Sequence, residues 1–246
     1  MTAPAEWFRD WFGDAYLSLY PHRDQAEAGA GVSLFLSKAR PVPGCPVLDL
    51  GCGVGRHVGY LTEAGHLSVG LDLSARLLVE ARRDLAPDGR LVRGDMRRLP
   101  FRKDSFGAVV NFFTSFGYFA SPGEDRAVAD EIHRVLRPGG VFLLDYLNAP
   151  HVRASLVPDG ERTIDGRRVR QERWIDGDTV IKRITISAPP GGEEEIYFER
   201  VRMYEPDQLG AMLDAHGLGT TARFGDYDGS AVLPTSPRLL LVGKAE

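Results

Sequence analysis

The sequence predicts an α/β protein built on a doubly wound, largely parallel sheet with a small antiparallel insertion. Three observations lead to it. From Val47 to Leu147 short apolar runs alternate with stretches of helical period; the first run is followed by a glycine-rich turn, GCGVG; and between Arg162 and Met203 the pattern changes to period two. Strands separated by single helices pair in parallel through right-handed crossovers, whereas period-two runs joined by tight turns pair antiparallel.

The elements follow in order. Val47–Leu50 reads as a short buried strand and Gly55–Ala64 as a helix, then Leu67–Asp72 as a second strand. Ser74 is placed to cap a helix over Ala75–Leu85, with Leu77, Leu78 and Ala81 on one face. Leu91–Arg93 and Ala108–Phe113 give the third and fourth strands. A helix over Glu124–Leu136 stops at Arg137-Pro138-Gly139-Gly140, and Val141–Leu147 is the fifth strand. The period-two region predicts about three strands, with a hairpin turn at Asp176-Gly177-Asp178. After Pro206 a helix over Asp207–His216 and strands at Thr220–Phe224 and Arg238–Val242 return to the first pattern. Ahead of the sheet, Glu6–Tyr20 and Gln25–Arg40 read as helices, broken at Pro21-His22-Arg23.

Composition excludes several classes. The 246 residues are 43% hydrophobic and 26% charged, an ordinary globular balance. No apolar run approaches the length of a membrane span (about 18 residues), and the acidic, aromatic start MTAPAEWFRDWFGD is not a signal peptide, so a cytoplasmic protein without membrane contact is expected. The formal net charge of −4 gives no basic footprint for nucleic acid. Cys45 and Cys52 form neither a disulfide framework nor a metal-ligand spacing, and no metal is expected.

The glycine turn carries the chemistry. A strand, a glycine turn and a helix start place backbone amides and a positive helix dipole at the sheet's carboxyl edge, a cradle for a nucleotide-like cofactor. A dinucleotide fingerprint would carry a third glycine where Arg56 stands, and Asp49 would repel a pyrophosphate. The ammonium of a methionine moiety would be attracted by that same carboxylate. Asp72, ending the second strand, can accept a ribose diol through charge-assisted hydrogen bonds. After the third strand Gly94-Asp95-Met96 offers a carboxylate to an adenine amino group and a polarisable thioether beside the ring.

Taken together, VLDLGCGVGRH, GLDLS, GDMRRLPF, FGAVVNFFTSFGYF and LRPGGVFLLDYLN, over Val47–Asn148, resemble the class I S-adenosylmethionine-dependent methyltransferases. Within them the chain looks like the bacterial small-molecule type, with lid helices and a β insertion. The resemblance implies a Rossmann-like seven-stranded sheet, parallel except for one antiparallel strand near the C-terminus. It implies four parts: a lid over 1–40, a cofactor-binding core over 41–150, the insertion over 151–205 and a C-terminal completion of the sheet over 206–246. It also implies that the cofactor is S-adenosyl-L-methionine, with S-adenosyl-L-homocysteine as product. Asp49 would hold the amino group, partly through water; Gly51, Cys52 and Gly53 would let the backbone approach; Asp72 would bind the ribose. Leu73 and Met96 would sandwich the adenine while Asp95 bonds its amino group. Asn111, Phe112 and Ser115 would flank the methionine and the transferred methyl, and Tyr20 or Arg23 would bind the carboxylate.

For catalysis the candidates are His22, His151 and Tyr118, with Tyr146 behind them; Asn148 and Phe224–Gly229 lie where acceptor loops fall in this fold. Cys52 and the pair Arg56-His57 are expected to be structural, and Arg97-Arg98 a solvated loop. The fourth strand lacks the [DNS]PP[YFW] of base-amine methylation, no Pro-Cys nucleophile is present, and a small-molecule acceptor methylated at O or N is expected. The competing readings are a nucleic-acid or protein methyltransferase, a non-catalytic S-adenosylmethionine-binding protein and an NAD-dependent oxidoreductase. A homodimer is left open.

Overall fold

A computed structural model describes residues 3–20, 25–85, 89–188 and 192–246. Seven strands form the main sheet: β1 (Val47–Leu50), β2 (Ser68–Asp72), β3 (Arg90–Arg93), β4 (Phe106–Asn111), β5 (Leu136–Leu147), β10 (Leu218–Phe224) and β11 (Arg238–Ala245). Their order is β10-β11-β5-β4-β1-β2-β3. β1 pairs in parallel with β2 (Val47 opposite Ser68) and with β4 (Val47 opposite Ala108), and β11 runs antiparallel to both β5 and β10. The expected doubly wound sheet with one reversed strand is therefore present.

Side-chain alternation divides the core into two layers. Leu48, Leu50, Val109, Phe142, Leu144 and Leu241 pack with Val128 and Ile132 of helix α6 (Pro122–Val135). Val47, Ala108, Val110, Leu143 and Val242 face the other way, onto Val32 and Phe35 of helix α3 (Gln25–Ala39) and Leu61 of helix α4 (Arg56–Glu63). Helices on both faces explain why β1 and β4 are buried along their whole length and read as continuous apolar runs. Connections leave β1 in one direction to β2 and β3 and in the other to β4 and β5. The carboxyl ends of β1 and β4 thus meet at the switch point where open α/β sheets bind ligands.

Several elements differ from the sequence expectation. The segment before the sheet is not one helix over Glu6–Tyr20 but two short ones, α1 (Phe8–Trp11) and α2 (Asp14–Leu19), divided at Gly13. The insertion has four strands rather than about three: β6 (Asp159–Ile164), β7 (Arg167–Asp176), β8 (Thr179–Ile186) and β9 (Glu195–Arg202), in that spatial order. β6 is an edge strand of sequence DGERTI with no buried residue, so it carries no apolar alternation to read. Helix α7 (Ala149–Ser155) was not expected either. β5 pairs with β4 already at Leu136, and Arg137–Gly140 bulge out before pairing resumes at Val141. The hairpin at Asp176–Thr179 stands as expected, with Gly177 at φ +58°. Helix α5 (Ala75–Asp84) and helix α8 (Pro206–Ala215) lie within a residue or so of their expected bounds.

The four-stranded sheet is locked to the core through β9. Arg202 donates to Asp125 of α6 (3.2 Å) and to Asp178 (2.9 Å), and Tyr204 donates to Asp125 (2.8 Å). Between this sheet and the core lies the aromatic N-terminus: Trp11 is fully buried, donates to Glu199 (2.9 Å) and packs on Tyr197. Among the described residues no helix is long and apolar enough to cross a membrane.

Candidate functional site

The turn after β1 is built from glycines in the left-handed region, Gly51 (φ +79°), Gly53 (φ +55°) and Gly55 (φ +79°), which side chains rarely adopt. At Gly51 there is a second reason for glycine: a Cβ there would stand 2.8 Å from the Ser115 Cβ. The amides of Gly51 and Cys52 donate to the Leu71 carbonyl (2.8 and 3.0 Å), which ties the turn to β2. Asp72 completes the tie, its two oxygens accepting the amides of Gly53 and Ser74, each at 2.8 Å. Burial raises the Asp72 carboxyl while these amides oppose it. Ser74 caps α5 by accepting from Leu77 N–H (3.1 Å) and also donates to the Phe12 carbonyl (2.6 Å), so one hydroxyl joins the loop after β2 to the N-terminal segment.

Beneath the turn lies a group of buried polar side chains with unfilled hydrogen-bonding capacity. Among the described residues neither oxygen of Asp49 has a partner, nor do His57 Nε2 and Asn111 Oδ1. Asp49 is 1% exposed, and burial, reinforced by the charge of Asp72 and opposed by Arg56, pushes its carboxyl up to about 8. His57, stacked on Phe112 at 4.1 Å, is pulled down to about 3 by burial and by the charges of Arg56 and Arg238. The Asn111 amide donates to the Leu50 carbonyl and braces β4 against β1. An unpartnered buried carboxyl is unfavourable in water-free surroundings. A ligand ammonium brought to the glycine turn would satisfy it, so the donor set fits the amino-acid end of S-adenosylmethionine.

Above the turn opens a cavity of about 950 Å³. Its walls include Gly51, Cys52, Gly53, Asp72, Leu73, Asp95, Met96, Phe112 and Ser115, and the N-terminal segment adds Phe8, Phe12, Tyr16 and Tyr20. Among the described residues, those expected around the cofactor are thus brought together, with Asp49 and Asn111 outside the lining itself. Tyr20 is held from the insertion: Lys182 donates to its hydroxyl (3.1 Å), and Arg162 stands over its ring. Cys52 is a packing residue whose thiol burial pushes well up.

The loop after β3 differs from expectation. Arg97 is not a solvated cation: its side chain is 21% exposed and binds Asp95 (2.6 Å), Glu6 of the N-terminal segment (3.0 Å) and Glu124 of α6 (2.6 Å). It also stacks over Phe119 at 4.6 Å. Burial acts to raise the Asp95 carboxyl, yet Arg97 outweighs it and holds Asp95 below the ordinary value. Sequence reading missed this node because Glu6 and Glu124 are distant along the chain.

The catalytic candidates separate. Tyr118 lines the cavity, its ring stacked on Phe12 at 5.9 Å and its carbonyl accepting from Trp7 Nε1 (3.3 Å). His151 is outside the lining, on α7, where its Nε2 lies 3.2 Å from Ser155 Oγ one turn on. His22 and Arg23 lie outside the described residues. Tyr146 is a core residue, fully buried, donating to the Arg202 carbonyl. Asn148 is likewise structural: its amide donates to the carbonyls of Leu233 (2.9 Å) and Ser236 (2.8 Å).

A Rossmann-like sheet with a glycine cradle, two strand-end carboxyls and a cavity at the sheet's carboxyl edge is the architecture of a nucleotide-cofactor-binding fold. Comparison narrows it. Residues 47–140 match the family model described as methyltransferase domain. Over 110 residues (45% of this chain, 46% of the relative) the chain is 36% identical to the dTDP-3-amino-3,4,6-trideoxy-alpha-D-glucopyranose N,N-dimethyltransferase of Streptomyces venezuelae. Over 225 residues (88% and 84%) it is 28% identical to the dTDP-3-amino-3,6-dideoxy-alpha-D-glucopyranose N,N-dimethyltransferase of Streptomyces fradiae. The solved structure of the CcbJ methyltransferase from Streptomyces caelestis shares the fold, with a TM-score of 0.80 at 21% identity over 95% of this chain and 97% of that one. The chain spans about half the length of the first curated relatives it matches. Over residues 47–140 the chain is thus similar to a methyltransferase domain, and its fold is that of a solved methyltransferase.

Proposed function

We propose that the chain transfers a methyl group from S-adenosyl-L-methionine to an oxygen or nitrogen of a small-molecule acceptor, releasing S-adenosyl-L-homocysteine. The observation that carries the reading is the unpartnered buried carboxyl of Asp49 beneath a glycine turn whose neighbouring carboxyl, Asp72, closes the same cradle. The amino-sugar substrates in the names of the two Streptomyces relatives support an amine-bearing small molecule as the first acceptor to test.

In this reading Asp49 receives the cofactor's ammonium, Asp72 its ribose diol, and Leu73 and Met96 its adenine. Gly51 and Gly53 supply the close backbone approach, and Tyr20 or Arg23 the carboxylate contact. Asp95 contributes to the adenine end with its charge already balanced by Arg97. The bound cofactor supplies a sulfonium-activated methyl group. Methyl transfer from it is an in-line displacement, in which alignment of donor and acceptor can contribute roughly 7–11 kcal/mol. Phe112, Phe113 and Ser115 set that alignment from one side, and the lid aromatics exclude water from the other. Aromatic faces near a cation add about 0.5–2 kcal/mol each. A group that takes a proton from the acceptor is worth roughly 10²–10⁴-fold; of His22, His151 and Tyr118, only Tyr118 is in the cavity among the described residues.

Residues 1–40 act as lid, 41–150 and 206–246 as the cofactor core, and 151–205 as a wall on the acceptor side in this assignment. The cytoplasmic assignment rests on two free thiols, Cys45 and Cys52; light scattering in solution tests the homodimer. Thermal shift with S-adenosylmethionine, S-adenosylhomocysteine, NAD and NADP tests the whole reading. Stabilisation by the adenosyl compounds alone is expected, and stabilisation by NAD instead overturns it. Label transfer from methyl-tritiated cofactor to amino sugars, RNA and protein then separates the acceptors; labelling none of them favours a non-catalytic binding role.

A further inference from the structure

We propose that Asp145, at the carboxyl end of β5, is a positioning residue for methyl transfer: it clamps a left-handed turn at Phe113-Thr114 that forms one wall of the cofactor cavity. The proposal rests on the function proposed above. Phe113 and Thr114 follow β4 with φ +58° and +55°, two consecutive non-glycine residues in the left-handed region. One is bulky and the other β-branched, the types for which this conformation is least favourable. Such a turn persists only where its surroundings over-determine it, and such turns cluster at functional sites.

Asp145 supplies that constraint from both its side chain and its main chain. Its carboxylate accepts the Phe113 N–H (2.8 Å) and its carbonyl accepts the Thr114 N–H (3.0 Å). The same carboxylate accepts the Tyr227 hydroxyl and is paired with Arg238 (3.2 Å). Arg238 is ion-paired to Glu27 of α3 and lies over the rings of both Phe113 (4.9 Å) and Tyr227 (4.5 Å). Asp145 is fully buried and does not line the cavity, so whatever it does there it does through the turn. The turn does reach the cavity: Phe112, Phe113 and Ser115 line it, and Ser115 packs against Gly51 so closely that no Cβ fits there. Relaxation of Phe113-Thr114 to negative φ would displace Ser115 from the glycine turn and misplace the wall that aligns the methyl group.

The test compares Asp145→Asn, Thr114→Gly and the double variant, because glycine adopts positive φ without a clamp. In ligand-free protein, amide exchange at Phe113 and Thr114 is expected to quicken at least tenfold in Asp145→Asn while the β4 amides stay protected. Unchanged exchange at the two amides, or a uniform rise along β4, overturns the proposal. By calorimetry Asp145→Asn should bind S-adenosylhomocysteine about tenfold more weakly. The double variant should recover to within about threefold of the parent; a double variant as weak as Asp145→Asn overturns the clamp. Should Asp145→Asn alone not fold, the comparison is made in the Thr114→Gly background, where failure to fold or a tenfold loss also overturns it. A parent protein that binds no S-adenosylhomocysteine counts against the proposed function, and the exchange measurement still decides the clamp.

Discussion

His57 Nδ1 stands 4.0 Å from Asp49 Oδ2, both side chains buried, yet the two do not form an ion pair. With the carboxyl raised to about 8 and the imidazole lowered to about 3, both are neutral at pH 7. The site is therefore primed to lose a proton when a cation arrives.

The first prediction follows from that state. An unfolded Asp titrates near 3.8, so between there and about pH 8 the folded, ligand-free protein holds a proton the unfolded chain has released, and stability falls as pH rises through this window. His57 acts oppositely, but only below its ordinary value of 6.5. From pH 6.5 to 8 the Asp49 contribution is a loss of up to about 1.4 kcal/mol per pH unit, and Asp49→Asn should remove that slope in denaturant titrations. Affinity for S-adenosylhomocysteine should rise over the same range, with up to one proton released per ligand when calorimetry is run in two buffers. Affinity independent of pH would remove Asp49 as the ammonium site.

Asp72→Ala should weaken S-adenosylhomocysteine binding at least about tenfold, two hydrogen bonds to a ribose being lost. It should also lower stability, because the Gly53 and Ser74 amides lose their acceptor. Asp72→Asn keeps one carbonyl oxygen and should fall between. Calorimetry and melting curves on both variants check this, and unchanged ligand affinity with lowered stability would confine Asp72 to holding the turn.

The core strands were legible because most are short apolar runs, and the site's acids fall at or just after strand ends. Val47–Leu50 with Gly51 and Ser68–Asp72 with Ser74 are local patterns. What was not legible depends on pairs far apart in the chain. Arg97 looked like a loop cation because Glu6 and Glu124 approach it only in the fold, and the turn at Phe113-Thr114 is held by Asp145 from a neighbouring strand. β6 escaped because an exposed edge strand needs no apolar face, its partner β7 supplying the hydrogen bonds.

His151→Ala should leave cofactor affinity and turnover within about twofold of the parent, as for surface substitutions away from a site. The side chain sits on α7 outside the cavity, and its contact is with Ser155 of the same helix. A larger loss in a methyl-transfer assay would bring α7 into the acceptor site.

Arg97→Met tests how the lid is held. The guanidinium bridges Glu6 of the N-terminal segment, Asp95 after β3 and Glu124 on α6, and lies over Phe119 and Phe8. Methionine keeps much of the stem and its packing but takes the Arg97 charge from Asp95 and Glu124, while Glu6 keeps its ion pair with Arg9. Asp95, no longer offset by Arg97, should then titrate higher, since burial alone acts to raise it. Global melting should fall modestly. The sharper effect is local: Trp7, Phe8 and Trp11 are buried where the N-terminal segment packs, so its release exposes them. Limited proteolysis should cleave ahead of α3 faster in Arg97→Met, and S-adenosylhomocysteine should restore less protection than in the parent. Cleavage at the parent's rate would mean that the lid is held by its aromatic packing alone.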